Sequence, residues 1–139
     1  MTRMLRAVSA LCLSGLVLAL VAPVYVHAQA GQTATQFYMA YRKAFDSAKK
    51  IEDLLPFMAA STRKQIEATP AKDRTEMFGM VKMMDTNTGI KVVKETPSAT
   101  GATLSVEATD SETKKPTKGT ITLVKEGNAW KIEKESWGN

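Results

Sequence analysis

One cysteine and one histidine occur in this chain, Cys12 and His27, and both fall within the first thirty residues. Beyond them there is no thiol to build a disulfide framework and no imidazole or thiolate set for zinc. The segment that holds both residues has its own pattern. Arg3 and Arg6 precede an apolar run from Ala7 to Ala22, interrupted only by Ser9, Ser14 and Gly15 and ended by Pro23. Small residues follow at Ala28 and Ala30. A positive start, an apolar run of this length and a small-residue cut site predict a secretory signal peptide over residues 1–28, with an alternative cut after Ala30. The run is shorter than the roughly 20 apolar residues that span a bilayer. Cys12 sits in mid-run after Leu11, which does not suit a lipid anchor. The expected mature chain is periplasmic or secreted, with no stable membrane anchor after cleavage.

Removing residues 1–28 leaves 111 residues, 29–139, enough for one domain and too few for two. A domain of that size buries a core without staples. Of the 19 Lys and Arg, Arg3 and Arg6 are lost with the leader, so 17 face 14 acidic residues for a net +3. These charges are interleaved along the chain. A nucleic-acid binder concentrates its Lys and Arg on one stripe, so no nucleic-acid partner is expected.

The first half reads as helical. Thr33 and Gln36 form the T-x-x-Q pattern of a capping box. Phe37, Tyr41, Ala44, Phe45 and Ala48 then share one face at helical spacing, with Arg42, Lys43, Asp46, Lys49 and Lys50 elsewhere. A second stretch from Ile51 to Met58 contains Pro56, which predicts a short or broken element. Ser61 or Thr62 is a candidate cap for another turn carrying Ile66. Thr69 and Pro70 read as the cap and first turn of a further helix. Its apolar face is expected to comprise Met77, Met80, Val81 and Met84, joined by Phe78.

After Asp85 the period changes from helical to alternating. Ile90 and Val92 open a strand closed by Thr96 and Pro97. Ala102, Leu104, Val106 and Ala108 alternate with Thr103, Ser105, Glu107 and Thr109, the clearest half-buried strand in the chain. A polar loop spans Asp110 to Thr117. Ile121 and Leu123 alternate with Thr120, Thr122 and Val124, and Glu126-Gly127-Asn128 makes a tight turn. Trp130 and Ile132 then alternate with Lys131 and Glu133 toward Trp137. The expected class is α+β: N-terminal helices packed on a curved, four-stranded antiparallel meander.

This order, with Phe37, Tyr41 and Phe45, then Glu52-Asp53-Leu54-Leu55-Pro56-Phe57, and the ending from Leu123 to Ile132, resembles the nuclear transport factor 2-like superfamily. It is similar in particular to small bacterial periplasmic domains that end in Trp-Lys-Ile. The resemblance covers nearly all of residues 29–139 and rests on structural motifs. It implies a cone-shaped α+β fold, in a superfamily that hosts isomerases and cyclases beside members without activity, so the site has to be argued separately.

Catalysis in such a cone needs an Asp, His or Tyr aimed inward. The inward strand positions read as Ala102, Leu104, Val106, Ala108, Ile121 and Leu123, none of which moves a proton. Tyr38 or Tyr41 with Asp46 or Asp53 is the one candidate pair, and Tyr41 shares the packing stripe of Phe45. Asp85-Thr86-Asn87-Thr88-Gly89 opens like a calcium loop, yet Gly89 is fifth instead of sixth and the twelfth residue is Thr96. A helix-to-strand turn explains it better. No catalytic residue, metal ligand or cofactor is assigned.

Methionines crowd the third helix: Met77, Met80, Met83 and Met84, with Met39 and Met58 elsewhere in the helical half. Filling an irregular core is the favoured reading, and an adaptable ligand- or partner-facing surface is the second. A copper(I) site of thioethers is a remoter one. The expected cavity lining is Tyr41, Phe45, Met77, Met80, Met84, Leu104 and Trp130. The function expected is a binding or accessory module for a small apolar ligand. Alternatives are an inhibitor- or immunity-type module docking another secreted protein, and a cone-cavity isomerase or cyclase.

Overall fold

The computed structural model describes residues 31–138, so the expected leader and both of its cut sites lie outside the described residues. Helix α1 (Ala34–Ser47) begins at the capping box read from sequence. The Thr33 hydroxyl accepts from the Gln36 amide at 3.1 Å, and the Gln36 side chain accepts from the Thr33 amide at 3.0 Å. Its first turn holds no acidic residue, and a distant one substitutes: Glu95 accepts from the Thr35 amide at 3.1 Å and hydroxyl at 2.6 Å. A carboxylate at that end favours the helix dipole. At the other end the Lys82 ammonium binds the carbonyls of Phe45 and Asp46 at 2.7 and 3.1 Å.

Pro56 sits inside a 3₁₀ helix, Ile51–Phe57, the short element expected there. Helix α2 (Ala60–Ala68) starts one residue before the expected cap. The carboxylate of Glu126 accepts from the Ala60 amide at 2.5 Å, so a strand residue caps it in place of Ser61 or Thr62. Helix α3 (Ala71–Met84) has Pro70 as its N-cap, and Thr69 closes α2 instead of opening α3.

Four strands follow: β1 (Asn87–Pro97), β2 (Gly101–Asp110), β3 (Pro116–Glu126) and β4 (Ala129–Gly138). They form an open antiparallel sheet in sequence order. The class is α+β, with the helices packed against one sheet face. Ala102, Leu104, Val106, Ile121, Leu123 and Ile132 point into the core, where they meet Phe37, Tyr41, Phe45, Leu54 and Phe57. The opposite face carries Thr103, Glu107, Thr109 and Thr120 to solvent, as the alternation predicts. Both edges are blunted. β1 carries two register shifts and exposes Lys91 and Lys94, and β4 is covered where Met58 bridges Ile132 and the Ala59 amide binds the Ile132 carbonyl at 2.8 Å. Such devices disfavour pairing with a foreign strand.

Asp85 and Thr86 alone form the α3–β1 connection, shorter than the expected turn to Gly89; Gly89 lies inside β1 at its first register shift and takes the left-handed conformation at φ +64°. Asp110 organises the β2–β3 loop. Hydrogen bonds from the Thr113 amide, then from the Thr86 and Thr113 hydroxyls, hold its carboxyl down at about 2. Trp130 is half-buried at the sheet's end and not packed deep under the helices. Its indole donates to the Gln32 carbonyl at 2.8 Å, and the Lys125 ammonium lies 4.7 Å from the ring centre.

The largest correction concerns α3. Phe78 is 4% exposed and is the one buried residue of the helix. Met77, Met80, Val81, Met83 and Met84 are all exposed, so the methionines do not fill the core. The geometry explains the difference. At about 100° per residue, Phe78 and Met80 stand about 160° apart around the axis, so they do not share a face.

Candidate functional site

Tyr38 and Arg42 lie four residues apart on α1, one above the other. Both are buried, although simple amphipathic reading puts Arg42 on the solvent side. Arg42 is 7% exposed, and its guanidinium joins two carboxylates. Nη2 donates to Asp85 Oδ2 at 2.5 Å, and Nη1 reaches Glu135 Oε1 at 3.4 Å. The same Glu135 oxygen accepts from the Tyr38 hydroxyl at 2.9 Å and from the Trp137 indole at 2.8 Å. The Asn87 side-chain amide donates to the second Asp85 oxygen at 3.3 Å. Arg42 Nε is buried and has no partner.

Plain alternation from Ile132 would send Lys134 and Ser136 inward and Glu135 outward. β4 breaks that alternation once. Thr122 pairs with Lys134 while Leu123 pairs with Ile132, which leaves Glu133 as an unpaired bulge. One extra residue exchanges the two faces of the strand. Glu135 therefore stands opposite Ile121, and Trp137 opposite Gly119, both on the core side. A Cβ at Gly119 would come within 2.8 Å of the Trp137 ring and of a Val106 methyl, so only glycine leaves room for the indole. The inward faces thus do contain a proton-bearing group, contrary to the reading from alternation.

Burial raises the pKa of Tyr38 well above the ordinary phenol range, and the Glu135 carboxylate raises it further. Tyr41 is raised by the same two causes in the same order. For Arg42, burial opposes the charge, but the hydrogen bond and charge of Asp85, then Glu135, outweigh it and the pKa rises. Raised phenols give a sign for alkaline stability. The folded state resists ionisation, so the stability is complete below the unfolded pKa of about 10 and is lost as pH rises beyond it. Urea midpoints measured from pH 8 to 11 should fall at the alkaline end, and Tyr38→Phe should flatten that fall. An identical decline in both proteins would contradict the assignment.

Above this network opens a cleft of about 350 Å³, lined by Tyr41, Phe45, Val81, Met84, Trp137 and the polar atoms of Arg42, Asp85, Asn87 and Glu135. A second hollow of about 390 Å³ lies across Arg42, bounded by Met39, Lys43, Asp46 and Ile90. Of the expected cavity lining, Tyr41, Phe45 and Met84 reach the cleft. Met77 and Met80 lie outside it, Leu104 is sealed in the core, and Trp130 belongs to the far end of the sheet. The pairing of Tyr38 or Tyr41 with Asp46 or Asp53 is not formed. Asp53 instead accepts from the amides of Lys49 and Lys50, at 3.0 and 3.2 Å, where it caps the 3₁₀ helix. Among the described residues no group of three His, Cys, Asp or Glu side chains could hold a metal ion. No helix among them is long and apolar enough to cross a membrane.

The chain matches no family model, no curated protein and no solved structure.

Proposed function

We propose that this chain is an exported, non-enzymatic binding module of the nuclear transport factor 2-like type, which takes a small amphipathic molecule into the cleft above Arg42. The observation that carries this reading is the contrast between wall and floor. The walls are the aromatic and aliphatic side chains of Tyr41, Phe45, Val81, Met84 and Trp137, and the floor is a guanidinium between two carboxylates. Ligand sites of this kind are mostly apolar with a few placed polar groups, and begin at about 300 Å³. Two carboxylates against one guanidinium leave the floor with a net negative charge. A ligand with an apolar body and a protonated amine suits it, and a fatty carboxylate does not.

Binding is preferred to turnover because Glu135 serves as a structural acceptor, its Oε1 taking hydrogen bonds from Tyr38, Arg42 and Trp137. The phenols beside it are pushed away from neutral pH, where an acid–base catalyst is most effective. Docking of another protein through the sheet has less behind it, since the outward face is hydroxylated and charged and both edges are blunted.

Titration with decylamine, followed by tryptophan fluorescence in a Trp130→Phe background that leaves Trp137 as reporter, should give saturable binding, and decanoate should give none. Glu135→Gln removes one of the two negative charges and should weaken amine binding by about tenfold, equivalent to ~1.4 kcal/mol. Equal binding of amine and carboxylate, or none of either, would overturn the reading.

A further inference from the structure

Four of the eight methionines of the chain stand on α3, and all four are exposed: Met77 at 38%, Met80 at 54%, Met83 at 75% and Met84 at 74%. Advancing about 100° per residue, they fall within an arc of about 120° that faces away from Phe78. Thioethers in solvent add nothing to packing, so the core-filling explanation is gone, and an exposed apolar cluster of this kind marks a contact site. What the arc offers chemically is specific. It is a set of soft, uncharged sulfur donors on flexible side chains.

Met80 is the centre of the set. Met77 stands three residues before it, Met83 three after and Met84 four after, so each is a direct neighbour on the helix surface at about 5–6 Å between Cβ atoms. Three rotatable bonds let each sulfur swing toward a common point. Soft thioether ligands select copper(I), whereas carboxylates and carbonyls suit harder ions. The electrostatics agree. Asp73, exposed, lies about two turns before Met80, and exposed Glu76 lies one turn before it on the same side. The one lysine within the cluster, Lys82, is turned away, its ammonium bound to the carbonyls of Phe45 and Asp46. Lys72 is drawn to Glu76 at 3.8 Å. The helix is also held in place, because Arg74 binds Glu52 at 3.0 Å and the Thr69 carbonyl at 3.0 Å.

We propose that Met77, Met80, Met83 and Met84 form a surface site for copper(I), with Met80 as the central ligand and two of its three neighbours completing a set of three thioethers. Thioethers carry no titratable proton, so affinity at this site is independent of pH across the neutral range, unlike that of a thiolate or imidazole site. Apart from Met84, which also borders the cleft, the ligands belong to a different surface from the proposed ligand site.

The test is an anaerobic competition of the purified full chain against a chromogenic copper(I) chelator. Cys12→Ser and His27→Gln are present throughout, so that any leader still attached offers no thiolate or imidazole. One equivalent should be withdrawn from the chelator, with equal affinity at pH 6 and pH 8. X-ray absorption should show a shell of sulfur alone. Met80→Leu with Met83→Leu keeps helix propensity, bulk and the Met84 wall of the cleft. It should weaken binding by more than the roughly 10–100-fold that loss of a mere supporting contact costs. Its melting point and its decylamine binding should stay unchanged. No withdrawal of copper, a nitrogen or oxygen shell, or undiminished affinity in the double variant would each overturn the proposal. None of these outcomes bears on the cleft.

Discussion

Arg42→Met should destabilise the fold by about 3–5 kcal/mol, as removal of one partner from a buried ion pair does. Methionine supplies comparable bulk, so the loss is electrostatic. Glu135 would keep Tyr38 and Trp137 as donors, but Asp85 would retain only the Asn87 amide at 3.3 Å. Asp85 therefore dominates the cost. Replacing both members, Arg42→Met with Asp85→Asn, removes the uncompensated charge and should recover more than half of the loss. Urea unfolding with linear extrapolation measures both. A single variant within about 1 kcal/mol of wild type would mean that solvent reaches the network freely.

Phe78→Ala should be comparably severe, at about 3–5 kcal/mol, but its effect should be local in kind. Phe78 meets the Phe45 ring edge-on, with 6.2 Å between centroids, and it is the one buried side chain of α3. Without it the helix keeps polar ties through Arg74 and Lys82 and has no apolar hold. Hydrogen exchange should therefore show the amides of residues 71–84 losing protection while β2 and β3 keep theirs, the signature of a unit that opens on its own. Uniform loss of protection across the sheet would show instead that α3 is coupled to the whole core.

Elements whose pattern is local were readable in the chain. The Thr33–Gln36 capping box, the break at Pro56 and the alternation through β2 each depend on residues a few positions apart, and each is present. Of the site, three wall residues (Tyr41, Phe45 and Met84) were readable and the polar floor was not, for two physical reasons. The first is that a bulge leaves no mark in residue type: Glu133 looks like any solvent-facing strand residue, yet it moves Glu135 and Trp137 to the inside. The second is that Arg42 is charged, and charge is normally evidence of exposure. The spacing of Tyr38 and Arg42, one turn apart beside the Tyr41–Phe45 stripe, was the available sign of a second inward row. Reading α3 failed for a related cause. Five apolar residues looked like one face because they are close in sequence, whereas counting around the helix separates Phe78 from the methionines.

The bulge at Glu133 has an implication for how such a protein diversifies. A strand whose inner and outer sides exchange at one position holds two alternative linings in a single stretch of chain. With Glu133 bulged out, the stretch beyond it offers Glu135 and Trp137; with Glu133 taken into the pleat, the same residues would present Lys134 and Ser136 in their place. The backbone ladder to β3 serves both. Deleting Glu133 would leave Glu135 and Trp137 facing inward, whereas absorbing that one solvent-facing residue into the pleat is enough to turn an acidic, aromatic lining into a basic, hydroxylated one.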